Sequence, residues 1–340
     1  MLLVAFACLP PILSHDVYSY VDYARLGALH GIDPYVRGPA AAPGDPAFVH
    51  VTWPHTPSAY GPFFTLATYP LAALPVGTAV YVLKAASAAA VLGTAAIVAR
   101  LAPARGADPL RAAAFVALNP LVLVHVVGGS HNDAVAVLLT MLGVAGILSA
   151  RELSGGGALV GALAVKASAA LTLPFAVIGN ANRVPMGRKY AYMSHLRPIG
   201  RVLVGMAVAV AAIGVAADVA FGWHWLDAIG LAGENQNHTS HLSIPTTLAR
   251  ITGLSKDIAR VGALALFAAF FAYLLAWTYR GGDWVRAAAW ATAGLLLATS
   301  WLLPWYLIWP LPLAGLSRDR PLKLLLLVLT AYQLGARIPL

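Results

Sequence analysis

The chain has 340 residues, of which 10% are charged and 60% apolar, with 31 glycines besides. Globular chains carry ~25% charged residues, so there is too little polar surface here to wrap a core in water, and the bilayer is the expected solvent. The formal charge of +9 sits at the ends of apolar runs rather than among aromatics along one face, which excludes a nucleic-acid partner, and the single cysteine, Cys8, excludes an internal disulfide and a cysteine-rich metal site.

At ~20 residues per spanning helix, the length predicts an all-α polytopic membrane protein of about ten transmembrane helices with a folded first outer loop. Residues 1–13 read as the outer part of a first membrane helix and not as a signal peptide, because no cationic n-region precedes them and no small-residue cleavage site follows. Clear apolar runs then cover 76–100, 111–127, 133–150, 202–221, 258–279, 285–303 and 322–334. Two further runs are broken: 157–179 carries Lys166 in its middle, and 305–316 is interrupted by Pro310 and Pro312.

Treating 157–179 as a hairpin that turns at Lys166 places 14 of the 22 cations on the inner face, in keeping with the positive-inside rule. A single span there would carry the basic stretch that follows to the outside. With the hairpin topology, nine of the thirteen acids and every histidine except His195 fall on the outer side. Chemistry is therefore expected outside, on an integral, multi-pass plasma membrane protein. No repeat or linker divides the chain, so 1–340 is one expected domain, with 14–74 a first outer loop, 180–201 a basic cytoplasmic loop and 222–243 an outer polar loop.

Four polar groupings stand out. Asp16, within SHDVYSY (residues 14–20) and backed by His15, Tyr18, Tyr20 and Tyr60, sits where partial burial would raise the basicity of a carboxylate while a hydroxyl substrate still reaches it. The plainer alternative is a helix cap over the following turn. His131, Asn132 and Asp133, after Gly128, Gly129 and Ser130, supply donors and acceptors suited to sugar hydroxyls, against the alternative of a turn plus a cap. Their spacing is too generic to call for a metal; a divalent cation is compatible but not indicated, and no cofactor is expected. Lys166 amid Ala, Leu and Val costs ~2.5 to 3.5 kcal/mol on insertion scales, so it marks a function by default, and an anionic phosphate is the ligand it suits; its alternative is snorkelling. Finally, residues 234–241 are either a solvated loop or a lid over a sugar acceptor, and Trp301, Pro304, Trp305, Tyr306 and Trp309 read as an interfacial aromatic belt in preference to rings that stack on a sugar face.

In order along the chain, SHDVYSY, GIDPY, AYGP, LNPLVL, GGSHNDA, Lys166 ahead of a proline, and PWYLIWPLP resemble the GT-C superfamily of membrane glycosyltransferases. Within it the set looks like the actinobacterial α-(1→6)-mannosyltransferases of the MptA/MptB type, over roughly residues 14–316. The resemblance implies a GT-C-like helix bundle, a polyprenyl-phosphate-mannose donor, a mannan or lipomannan glycolipid acceptor and an inverting transfer. It also implies Asp16 as the base on the acceptor hydroxyl, Lys166 as the cation at the donor phosphate and residues 131–133 as sugar-binding. The rival class is a transporter or lipid flippase with a midplane site at Lys166, which predicts related halves that the sequence does not display; another polyprenyl-phosphate sugar would serve the same chemistry.

Overall fold

The computed structural model describes residues 1–181, 191–234 and 238–337, apart from the side chains of 191–197 and of Ala232. Nine positions of the basic loop expected at 180–201, residues 182–190, lie outside the described residues, as do three positions of the polar loop at 222–243. Among the described residues the protein is helical and has no strand.

The chain opens with α1 (Leu2–Cys8) and α2 (Asp16–His30), which ends where Gly31 turns left-handed at φ 65° and Ile32 N–H donates to Leu26 O at 2.9 Å. Short α3 (Pro62–Thr68) leads into α4 (Val76–Leu101) and α5 (Pro109–Ala117), and a π-turn at Val122–Val127 precedes α6 (Asp133–Leu148). Next come α7 (Glu152–Leu163), α8 (Thr172–Ala181) and α9 (Ala191–Phe221). The remainder is α10 (Asp227–Glu234), α11 (Ile244–Thr252), α12 (Lys256–Tyr279), α13 (Trp284–Ala298), α14 (Leu311–Gly315) and α15 (Arg320–Gly335).

Among the described residues three helices are long and apolar enough to cross a membrane: Val76–Leu101, Pro198–Leu231 and Lys256–Tyr279. Asp133–Leu148, Ala167–Ala181 and Trp284–Ala298 are apolar but shorter. One expected run is divided: 111–127 is not a continuous helix, because Pro120 contributes no amide and Asn119 Oδ1 accepts from Leu121 N–H at 3.0 Å, so α5 stops and the chain re-forms as the π-turn.

The main core is built from α4, α5, α6, α13, α14 and α15, with Val98, Val116, Met141, Leu296 and Leu311 fully buried. A second core joins α2 and α3 to α4 through Val17, Tyr20, Val21 and Phe64; three of these recur on one face of α2 at helical spacing. Segment 14–74 is tied together by Arg25, which holds Asp45 at 2.8 Å and the carbonyl of Ala72 at 2.8 Å.

Helix directions follow from close approaches. Glu152 at the start of α7 pairs with Arg201, and Gly157 further along meets Ala209, so α7 and α9 run the same way and α8 returns between them. Lys84 and Gly93 of α4 meet Gly128 and Leu138, so α4 and α6 also run together, away from the end where α2 begins. At the far end Arg105 pairs with Asp283, Arg286 with Asp319, and Arg318 donates to the carbonyl of Gly106. Gly179, near the end of α8, packs on Trp284 beside this charged cluster. The polar groups of the helix layer thus divide between two opposite ends.

Candidate active site

The site begins with α4. Lys84 is fully buried, and its ammonium donates to the carbonyls of Val127 (3.2 Å) and Gly128 (2.6 Å), while Ser87 Oγ donates to that of Val126 (3.0 Å). These carbonyls also accept backbone amides, Val126 from His131 (2.9 Å), Val127 from Ser130 (3.3 Å) and Gly128 from Ile12 (3.3 Å), so the side chains fill their second lone pairs and brace the turn. Ser130 then takes a left-handed backbone, φ 56°, a conformation that costs a non-glycine residue about 1–2 kcal/mol. It swings His131, Asn132 and Asp133 to the head of α6.

Asp133 is fully buried and does not cap its helix. Lys166 Nζ donates to its Oδ2 at 2.9 Å and Trp309 Nε1 to its Oδ1 at 2.6 Å. Lys166 also reaches Asn132 Oδ1 at 3.5 Å and stands 5.4 Å from the centre of the Tyr306 ring. Its backbone is extended between α7 and the turn that leads to α8. This opening of the chain is shaped from outside: the amides of Gly61 and Phe63 donate to the carbonyls of Val165 (3.2 Å) and Ala164 (3.1 Å). A β-carbon at position 61 would fall 2.1 Å from the Ala164 oxygen, so only glycine allows that approach. The same docking sets the Tyr60 ring edge-on to Tyr20, 4.7 Å between centroids.

Asp16 starts α2, yet its carboxylate makes no hydrogen bond to the first-turn amides; its own N–H goes to Ser14 Oγ at 3.2 Å. The carboxylate faces His131, whose Nδ1 is 3.5 Å from Oδ2. Burial pushes the Asp16 carboxyl up to about 6, partly countered by the Lys166 ammonium and reinforced by the Asp133 charge. Burial, with Lys166 nearby, holds His131 well below the usual histidine range, so its ring is neutral. That ring stacks on Trp305 at 3.6 Å with 15° between planes. Among the described residues both its nitrogens, Asn132 Nδ2 and Ser130 Oγ are buried without a hydrogen-bond partner, a concentration of unmet donors and acceptors at the rim of one cleft.

Of the residues singled out from the sequence, Asp16, Tyr20, Tyr60, His131, Asn132, Asp133 and Lys166 converge. Tyr20 is buried and its hydroxyl accepts from the Asn132 amide at 3.4 Å, which makes it a support. His15 and Tyr18 lie to one side: Tyr18 stacks on His50 at 4.6 Å and His15 meets the Tyr18 edge. The reading of Trp305, Tyr306 and Trp309 as an interfacial belt is corrected, because all three pack into the site on the Pro304–Ile308 turn and just after it. Lys84 was missed as well; a lone lysine in an alanine-rich run gave no sign of what it holds. Among the described residues, no three His, Cys, Asp or Glu side chains gather as metal ligands.

Comparison with known proteins bears on this arrangement. Residues 3–182 match the family described as "Alpha-(1->6)-mannopyranosyltransferase, N-terminal domain". Alpha-(1->6)-mannopyranosyltransferase A of Mycobacterium tuberculosis is 31% identical over 341 aligned residues, covering 90% of this chain and 61% of that protein. Its namesake from Corynebacterium glutamicum is 32% identical over 174 residues (49% of this chain, 35% of that protein). Alpha-(1->6)-mannopyranosyltransferase B of the same organism is 25% identical over 344 residues (90% and 56%). The chain therefore spans about three fifths of the relatives it matches along most of its own length. No solved structure matches.

Proposed function

The chain belongs to the family of α-(1→6)-mannopyranosyltransferases, and on that premise we propose that its site moves a mannosyl group from a polyprenyl phosphate to a hydroxyl of an α-(1→6)-mannan glycolipid on the extracytoplasmic face of the membrane. In this reading the acceptor oxygen attacks the anomeric carbon as the bond from that carbon to the phosphate oxygen breaks. The acceptor proton passes to Asp16, and the polyprenyl phosphate departs with its negative charge facing Lys166. Phosphate is already a good leaving group, so alignment, one base and one cation supply what the step needs.

The observation that carries the proposal is the pairing of a carboxylate of raised basicity with an ammonium near enough to oppose that rise. A base of pKa about 6 is mostly ionised at neutral pH, yet binds a proton more firmly than an ordinary aspartate. The neutral His131 at 3.5 Å and the Nδ2 of Asn132 supply hydrogen bonds for sugar hydroxyls, and the Trp305 and Tyr306 rings give apolar faces beside them.

The test is transfer of mannose from synthetic polyprenyl-phosphate mannose to an α-(1→6)-oligomannoside by membranes bearing the chain. Asp16→Asn is expected to lower the rate by about 10²–10⁴-fold at unchanged expression. Near-normal transfer by that variant removes Asp16 from the role of base. Running the assay with other polyprenyl-phosphate sugars reports the sugar preference.

A further inference from the structure

At the end of the helix layer away from Asp16, a pocket of about 510 Å³ is lined by Arg105, Arg286, Arg318 and Arg320 against only two acids, Asp283 and Asp319. Both acids are already committed. Asp283 caps α13 and pairs with Arg105; Asp319 caps α15 and accepts from Arg286 at 2.6 Å and from Trp290 at 2.8 Å. Arg318 uses one nitrogen on the carbonyl of Gly106, and among the described residues the guanidinium of Arg320 has no hydrogen-bond or ion-pair partner. Two positive charges are thus in surplus, with guanidinium donors left over, beside the capped N-termini of α13 and α15.

The pocket does not end there. Trp277 and Arg286 also line an adjoining cavity of about 320 Å³ with Phe270, Tyr273 and Trp290, and Phe270 and Trp290 in turn line an almost wholly apolar groove of about 520 Å³ between α11, α12 and α13. At 1.5 Å per residue the path is about 18 Å long on the α13 wall, from Arg286 to Ala298, and about 28 Å on the α12 wall, from Trp277 to Ile258, so it runs from the arginine end well into the ~30 Å hydrocarbon thickness. The helix beside it, α12, has the length and composition to cross a membrane, and only 11% of its apolar window is buried by the protein.

We propose that this continuous pocket and groove is a binding site for an anionic phospholipid, the phosphodiester held by Arg318 and Arg320 and one acyl chain laid along the seam of α12 and α13. The charge surplus selects an acidic headgroup, and an apolar groove that runs on from the arginine pocket suits an acyl chain. The site is separate from the Asp16 cleft, so it stands or falls independently of the reaction assigned there.

The test is native mass spectrometry of the full chain released from nanodiscs that hold phosphatidylglycerol and phosphatidylcholine in equal parts. Retention of phosphatidylglycerol over phosphatidylcholine is expected. Arg318→Gln with Arg320→Gln should reduce that preference by about fivefold per arginine. Gly262 lines the groove and its β-carbon direction meets open space, so Gly262→Leu fills the groove without a clash and should lower retention while leaving the preference between headgroups in place. Equal retention of the two lipids, or an unchanged preference in the double variant, overturns the proposal. Displacement of the lipid by millimolar inorganic phosphate, or retention indifferent to Gly262→Leu, overturns it in favour of a soluble phosphate ligand.

Discussion

Asp16 carries opposing consequences for activity and for stability. Its carboxyl is raised to about 6 in the folded chain, from the 3.8 of a solvated aspartate. Transfer that needs the ionised form should therefore climb as pH rises through about 6, read as the acidic limb of the rate profile. For stability, the folded state binds the extra proton between those two values, so the charge becomes a burden as pH rises across that window and stays one above it. Asp16→Asn is thus expected to stabilise the fold at pH 7–8 by about 1–3 kcal/mol, at 1.36 kcal/mol per unit, read as a raised melting temperature, while removing activity. Equal melting temperatures for the two proteins would mean that the carboxylate is not desolvated. Lys166 differs, because it neutralises a buried acid. Lys166→Ala strands Asp133 with Trp309 alone and should cost about 3–5 kcal/mol. Adding Asp133→Asn should restore the melting temperature but not the donor concentration dependence, which separates the role of Lys166 in the fold from its role toward phosphate. Asp16, Lys166 and residues 131–133 were legible in the sequence because charge in an apolar run is conspicuous. Trp305, Tyr306 and Trp309 were not, because an aromatic at a membrane boundary and one inside a cleft look the same until the chain is folded.

Among the elements, the π-turn and the Gly61 segment are the pieces on which the cleft depends. Gly61→Ala is expected to push residues 60–63 off the carbonyls of Ala164 and Val165, loosening Tyr60 from Tyr20 and Lys166 from Asp133. A fall in melting temperature together with a raised donor requirement would mark that coupling; unaltered donor use would show that the segment is only packing. Long apolar helices could be read from composition alone, as α4, α9 and α12 illustrate. The break within 111–127 could not be placed, since Pro120 was visible but the lysine that braces the turn lies 36 residues earlier. The return of the chain at Lys166 rested on charge distribution in the sequence, and the pairing of Glu152 with Arg201 and the close approaches of Gly157 and Gly179 give it a geometric counterpart.

For the whole molecule, α9 and α12 leave most of their apolar surface outside the protein: 22% and 11% of their apolar windows are buried. That surface is expected to be covered by lipid, so the chain should remain in the pellet after alkaline carbonate extraction and enter solution only with detergent. Release by carbonate would contradict membrane insertion. The separation of the Asp16 cleft from the arginine pocket by the length of the helix layer has a sequence counterpart in the unequal distribution of basic and acidic residues. The contacts across it, such as Arg105 with Asp283, join positions too distant in the chain for any local pattern to announce them.

The double engagement of Asp133 reaches as far as the stereochemistry of the product. With one oxygen accepting from Lys166 and the other from Trp309, this acid is held by both, while the Asp16 carboxylate in the same cleft faces only the His131 ring at 3.5 Å and is the one placed to act. A covalent glycosyl-enzyme route requires a second carboxylate as nucleophile. The new glycosidic bond should accordingly carry the opposite anomeric configuration to the donor, a β-linked mannosyl phosphate giving an α-mannoside, as anomeric carbon–proton couplings of the isolated product would reveal.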